Sequence, residues 1–247
     1  MPVPEPPVVL ITRPEPYGAE FAAQLRGEPG GDLRMILSPA LVIEPVGTLP
    51  DPEGCRWLIF TSRNGVREYA ARSPRRDIPA YAVGDATAEE ARRVGMRAIS
   101  ASGDARDLLS LIRADGARGP MLHLRGAHAA ADIAGALSAA GIPARDAVIY
   151  AQRPAPLTAE ARTCLGGTRP VIAPVFSPRS AASLFAGGAP AAPTVVLAIS
   201  AAAAARVPQD AARTLLVADR PDAAAMLRAW PQALSAAYRL EGTKRAQ

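Results

Sequence analysis

Short apolar runs separated by polar, glycine- and proline-marked turns set the rhythm of this chain. Val8 to Thr12, Met35-Ile36-Leu37, Leu41-Val42-Ile43, Trp57-Leu58-Ile59-Phe60, Tyr81-Ala82-Val83, Ala98-Ile99-Ser100, Met121-Leu122-His123-Leu124, Ala147-Val148-Ile149-Tyr150, Val171–Phe176, Val195–Ile199 and Leu215–Ala218 read as strands or extended chain. Runs of this length bounded by turn signals fit strands buried on both faces. Between them the period lengthens to that of a helix. Tyr17, Phe21 and Leu25 form one stripe, and Leu108, Leu111 and Ile112 another. Further stripes are Ile133, Ala136, Leu137 and Ala140, and Met226, Leu227, Leu234 and Tyr238. Helices are also expected over 63–71 and 158–165, and after the strands ending at Phe176 and Ile199.

One junction recurs. An apolar run ends in a hydroxyl residue and a helix follows: Thr12-Arg13, Thr61-Ser62-Arg63, Ser177-Pro178-Arg179 and Ser200-Ala201. Ser or Thr there caps the helix, because its oxygen accepts from an N–H that lacks an intrahelical partner. Pro178 suits the first helical position, where no N–H is needed. Thr87 and Glu90 have capping-box spacing, Asp104 and Asp222 are expected to start helices, and Gly95 and Gly141 to end them. A strand end that meets a helix start offers backbone donors and a positive dipole end to an anion.

This alternation predicts an α/β protein with mainly parallel sheets flanked by helices. About ten strands exceed what one parallel sheet usually carries, so two sheets are expected. The 247 residues suit one large domain or two ordinary ones. With 49% hydrophobic but only 4% aromatic residues, the core is aliphatic.

The net charge of +5 is almost entirely arginine, since Lys244 is the only lysine. Two readings stand side by side: solvated faces with biased base composition, or a basic cleft for an acidic substrate. No basic run is interleaved with aromatics, so nucleic acid is not the expected partner. Cys55 and Cys164 lack metal-ligand spacing and are expected to be reduced cytosolic thiols, and two histidines, His123 and His128, have too few partners for a metal site. The proline-rich start, residues 1–7, reads as a loose leader and not a signal peptide, and no run suffices to span a bilayer. The polar tail from Glu241 is expected to fray. No glycine-rich phosphate fingerprint follows the first strand, which argues against an unrelated two-domain nucleotide enzyme.

Three segments in order carry a resemblance: Ile59-Phe60-Thr61-Ser62-Arg63-Asn64-Gly65-Val66, Tyr81-Ala82-Val83-Gly84-Asp85-Ala86-Thr87-Ala88 and Val175-Phe176-Ser177-Pro178-Arg179-Ser180-Ala181. Leu10-Ile11-Thr12-Arg13-Pro14 and Val148-Ile149-Tyr150 support it. Together they resemble uroporphyrinogen-III synthase across nearly the whole chain. The resemblance implies two α/β domains joined by a two-stranded connection, with a cleft between them. Residues 1–38 and 151–247 would form one domain and 39–150 the other, with crossings near Pro39–Pro45 and Val148–Pro154. It further implies a cytosolic monomer, on the pathway to haem and related tetrapyrroles, that converts hydroxymethylbilane, a linear tetrapyrrole with eight carboxylates. The product is cyclic, water is lost, the terminal ring is inverted, and no metal or organic cofactor is required.

Carried over by motif, Tyr150 matches a tyrosine on the second crossing. It could protonate the departing hydroxyl, or simply pack at a hinge. Thr12, Arg13, Ser62, Thr87, Arg125, Gly126, Ser177 and Ser200 fall at strand ends that would meet substrate. For the hydroxyls, helix capping is the competing and compatible role; for Arg13 it is a solvated arginine. His123 alternates with Leu122 and Leu124 and is also read as a sheet residue, and His128 as surface. The chain departs from the family where threonines usually open a helix: here Ser200 precedes Ala201–Ala204. That departure keeps open a non-catalytic relative that binds an anionic tetrapyrrole or acts as a regulatory module.

Overall fold

The computed structural model describes residues 5–128 and 131–243. The start of the leader and Lys244 lie outside the described residues. Eleven strands and nine helices lie within them and alternate except over residues 35–60, where three strands follow one another. The strands are β1 (Val8–Ile11), β2 (Met35–Leu37), β3 (Leu41–Pro45), β4 (Trp57–Phe60), β5 (Ala80–Ala82), β6 (Ala98–Ser100), β7 (Met121–Gly126), β8 (Ala144–Pro154), β9 (Val171–Val175), β10 (Thr194–Ala198) and β11 (Thr214–Val217). The helices are α1 (Tyr17–Leu25), α2 (Arg63–Arg72), α3 (Asp85–Arg93), α4 (Ala105–Ala114), α5 (Ile133–Ala139), α6 (Ala159–Gly166), α7 (Pro178–Leu184), α8 (Ala201–Ala204) and α9 (Ala223–Thr243). The chain divides into two compact units, Met1–Val42 with Arg153–Gln247, and Ile43–Gln152, so it passes between them within β3 and again within β8.

The first unit holds a five-stranded sheet, ordered β11-β10-β9-β1-β2 and parallel throughout. Alternation along β1 shows how both faces are filled. Val9 and Ile11 pack with Phe21 and Leu25 of α1 and Met226 and Trp230 of α9. Val8 and Leu10 join Ala161, Ala181, Leu184 and Ala203, from α6, α7 and α8. The second unit holds six strands, ordered β3-β8-β7-β4-β5-β6, with β4 to β8 parallel. Leu58 and Phe60 face Val66, Tyr69 and Ala91 of α2 and α3. Ile59 and Met121 face Leu108, Ile112, Ile133 and Leu137 of α4 and α5.

Several local expectations change. Thr87 does not cap α3. Gly84, extended at φ −148°, is the N-cap, and Thr87 lies in the first turn. Glu90 does not reach back to a cap either: it is buried, and bonds Arg67 and Arg93 instead. Ala140 is exposed, because α5 ends at Ala139. Tyr238 is also exposed, at 42%, and the buried stripe of α9 runs through Trp230, Ala233, Ala236 and Ala237. The backbone past Glu241 stays helical to Thr243. Asp104 does start a helix, and forms a capping box with Asp107. Among the described residues no helix is long and apolar enough to cross a membrane.

Candidate functional site

In each sheet one pair of neighbouring strands has its outgoing connections running in opposite directions. In the first unit this switch lies between β1 and β9, in the second between β4 and β7. Open α/β sheets bind ligands outside the carboxyl ends of their strands at such points.

In the first unit the switch is widened by a proline. Along β9, Val171 N–H donates to Pro193 and the Val175 carbonyl accepts from Ile199, so odd-numbered positions face β10. Pro174 therefore faces β1, where it has no N–H to give. The β1–β9 register accordingly ends at Val9 with Ile172, and the strands part before Thr12 and Ser177. Thr12 is buried and its Oγ1 lacks a hydrogen-bond partner. Arg13 lays its guanidinium 4.1 Å from the centre of the Phe176 ring and 5.3 Å from that of Tyr17. Phe176 is in turn held edge-on by Phe21, 4.7 Å between centroids. Cation–π stacking fixes the plane of an arginine's guanidinium. Ser177 accepts from Ser180 N–H at 3.0 Å and caps α7, with Pro178 at the first helical position. Ser200 caps α8 in the same way, accepting from Ala203 N–H at 3.3 Å. Each cap contributes ~1 kcal/mol.

In the second unit the residues converge more tightly. Ser62 caps α2 through Gly65 N–H and also shares a 2.7 Å hydrogen bond with the Tyr150 hydroxyl. The Tyr150 ring lies against Gly126: a methyl group there would come within 2.6 Å of Cζ and 2.9 Å of Oη. On its other edge is Gly65, whose missing Cβ would approach Cε1 at 3.8 Å. Tyr150 is 7% exposed, and burial holds its phenol above the usual pKa, with the Ser62 bond pulling the other way and Glu68 adding to the rise. Burial therefore favours the protonated phenol, and the Ser62 bond partly offsets that effect.

Tyr150 owes its aim to a break in register. Arg125 pairs with Val148 but Gly126 pairs with Tyr150, leaving Ile149 as the extra residue of a bulge. Bulges re-aim side chains at strand ends. Arg125 donates to Asp146 at 2.5 Å and to the Gly126 carbonyl at 3.1 Å, so its guanidinium is engaged within its own sheet. Buried His123 shares a 3.3 Å hydrogen bond with Thr61 across the β4–β7 switch. Burial first, and Arg125 next, lower its pKa to about 4 against smaller opposing effects of Asp146 and Asp132. His123, Arg125, Asp132 and Asp146 line a polar pocket of about 390 Å³. Thr87 is buried in α3, and no side-chain bond joins it to the Tyr150 group.

Of the sequence-derived residues, Ser62, Arg125, Gly126 and Tyr150 thus come together in one unit, and Thr12, Arg13 and Ser177 meet at the switch of the other. Ser200 stands one strand further along, at the end of β10. Sequence reasoning passed over Phe176, Pro174, Asp146 and Thr61 as site components. The proline inside an apolar run was the one signal available. A larger hollow of about 690 Å³ lies between α6 and residues 185–191, lined by Leu157, Leu165, Leu184 and Phe185, and contains none of these groups. Among the described residues no cluster of three or more His, Cys, Asp or Glu side chains is placed to hold a metal ion.

Comparison with known proteins bears on the same two-sheet architecture. The uroporphyrinogen-III synthetase of Helicobacter pylori 26695 has a similar solved structure, with a TM-score of 0.64 at 18% identity, covering 92% of this chain and 99% of that one. A mutant uroporphyrinogen III synthase from the extremely thermophilic bacterium Thermus thermophilus aligns with a TM-score of 0.51 at 15% identity, over 94% of this chain and 99% of that one. At such identities the likeness establishes the fold. No curated protein matches the sequence. The profile of the family HEM4, described as uroporphyrinogen-III synthase HemD, matches residues 21–228, most of the chain, and on that ground the chain belongs to the uroporphyrinogen-III synthase family.

Proposed function

We propose that the protein is a uroporphyrinogen-III synthase, a cyclising hydro-lyase that closes hydroxymethylbilane with loss of water and inversion of the terminal ring. The observation that carries this reading is the protonated, buried Tyr150 phenol held by Ser62 at 2.7 Å over the bare Cα of Gly126. In the reaction the first ring loses its hydroxyl as hydroxide and becomes an azafulvenium cation. Tyr150 gives its proton to that leaving hydroxyl, which departs as water. The Ser62 hydroxyl then donates to the phenolate, consistent with the direction in which it moves the Tyr150 pKa. The substituted carbon of the fourth ring attacks, the spiro intermediate opens, and the ring recloses the other way round. A proton lost at closure balances the one donated.

Most of the work is orientation, since the reactants are two ends of one chain. Arg13 on its aromatic plate, the unpartnered Thr12 hydroxyl and the helix start behind Ser177 suit carboxylate side chains of the bilane. Thr87, Arg125 and Ser200 are assigned the same task at the remaining strand ends. The free thiols Cys55 and Cys164 fit a cytosolic location, and we assign the chain a monomeric state.

Incubation with freshly made hydroxymethylbilane tests the reading. The inverted isomer should accumulate, and recovery of the uninverted isomer alone refutes it. One feature favours a second reading, a non-catalytic relative that binds a tetrapyrrole. The first turn of α8 is Ala201–Ala204, which brings no side-chain donor. Tight binding of product without turnover would select that reading.

A further inference from the structure

Helix α2 contacts Tyr150 at one end and the strand residue before it at the other. Its N-cap, Ser62, holds the phenol. Its last residue, Arg72, holds the backbone behind it: Nη1 donates to the Ile149 carbonyl at 3.1 Å and to that of Val46 at 3.4 Å, and Nη2 to that of Gly47 at 2.7 Å. Ile149 is the extra residue of the bulge. Its carbonyl also accepts from Val46 N–H at 3.0 Å. Both lone pairs of the bulged carbonyl are thereby used, and three carbonyls from two separate segments converge on one guanidinium. The guanidinium serves the set from two nitrogens held in one plane, whereas an ammonium would have to reach all three carbonyls from a single nitrogen.

We infer that Arg72 is a positioning residue for the synthase reaction: it locks the bulge at Ile149 and so fixes where Tyr150 points. The inference rests on the reading of Tyr150 as proton donor. The plain role for a last-turn arginine is to complement the helix dipole, which any cation performs. The two roles part at lysine. Dipole complementation leaves Arg72→Lys silent, whereas bulge-locking does not.

The test compares Arg72→Lys, Arg72→Gln, Tyr150→Phe and the Arg72→Gln/Tyr150→Phe double variant, reading kcat, KM and the fraction of inverted product. Arg72→Gln should lower kcat about 10- to 100-fold, the loss expected when a reacting group moves by an ångström. KM should hold within about twofold, because Arg72 is assigned no contact with substrate. Arg72→Lys should fall in the same direction. In the Tyr150→Phe background the Arg72 change should cost less than about twofold more, since residues acting as a unit are not additive. A silent Arg72→Lys, or an Arg72→Gln loss that multiplies in full with that of Tyr150→Phe, overturns the inference. Should Arg72→Gln fail to fold, Arg72→Lys and its own double variant with Tyr150→Phe carry the same criteria. If the wild type yields only the uninverted isomer, the reading of function falls instead, and a crystal structure of Arg72→Lys decides the positioning claim. Tyr150 displaced from Ser62 sustains that claim, and Tyr150 still bonded to Ser62 ends it.

Discussion

Replacing Gly126 with alanine puts one methyl group against the Tyr150 ring. The backbone at Gly126 lies outside the left-handed region, so alanine meets no conformational penalty there and the effect is steric. Cβ would sit 2.6, 2.8 and 2.9 Å from Cζ, Cε2 and Oη. Comfortable carbon–carbon contact begins at about 3.5 Å, so the ring must retreat by close to an ångström. A solvated tyrosine would do so freely. This one is 7% exposed, has Gly65 on its other edge and is tied at 2.7 Å to Ser62. Overpacking of this kind costs about 1–3 kcal/mol, and losing the phenol–Ser62 bond adds about 1 kcal/mol. Alanine's stiffer unfolded chain returns about half a kcal/mol. The expected net loss is about 1.5–3.5 kcal/mol, a fall of roughly 3–14 °C in Tm for a chain of this size. Gly187→Ala, with nothing within 4 Å of the new Cβ, is the control and should raise Tm by about 1–2 °C. Calorimetry gives the stability arm. The isomer assay gives the other, where kcat should drop about 100-fold. A Gly126→Ala protein with wild-type Tm and wild-type product would refute the claim that a bare Cα seats the tyrosine.

Ser62→Ala removes a cap and the phenol's partner, and should cost about 2 kcal/mol in denaturant titration. The same change should raise the Tyr150 pKa further, seen in near-UV absorbance against Tyr150→Phe, because the Ser62 bond lowers it in the wild type. His123, with its pKa lowered to about 4, stays neutral in the fold while the unfolded chain protonates near 6.5. Stability should therefore be full above pH 6.5 and decline by up to about 3 kcal/mol towards pH 4, and His123→Asn should lack that portion of the slope. Burial pushes the Glu90 carboxyl up, yet bonds from Arg93 and Arg67 outweigh it and leave its pKa below the usual value. That contribution is present above the ordinary carboxylate pKa and fades as pH falls through the depressed one. Glu90→Gln should lose about 2 kcal/mol at neutral pH, less than for a fully buried pair because Arg93 is solvent-exposed.

The strands and the two-sheet α/β architecture were legible because central strands such as β1, β9 and β10 are buried on both faces and so read as unbroken apolar runs. Ser62, Ser177 and Ser200 were legible as caps for a similar local reason: the hydroxyl bonds an N–H three residues on. Thr87 failed because the actual cap, Gly84, works through its backbone and has no side chain to announce it. Arg125–Asp146 and Arg72–Ile149 were invisible for another reason. They join segments far apart in the chain, and a bulge that skips Ile149 changes no residue type. Pro174 was on view, but its meaning depends on which neighbour its missing N–H faces, and that only strand order supplies.

The strand order also dictates a timetable. β1 lies between β2 and β9, so a ribosome delivers β1 long before its register partners Val171 and Ile172, which emerge only after all of Ile43–Gln152. During synthesis the inserted unit can finish its own sheet while the apolar strand Val8–Ile11 waits, half-paired, for the second half of its home. Between the synthesis of β1 and that of β9 the nascent chain therefore carries an apolar strand with one edge unpaired, a feature that favours misassociation until β9 arrives.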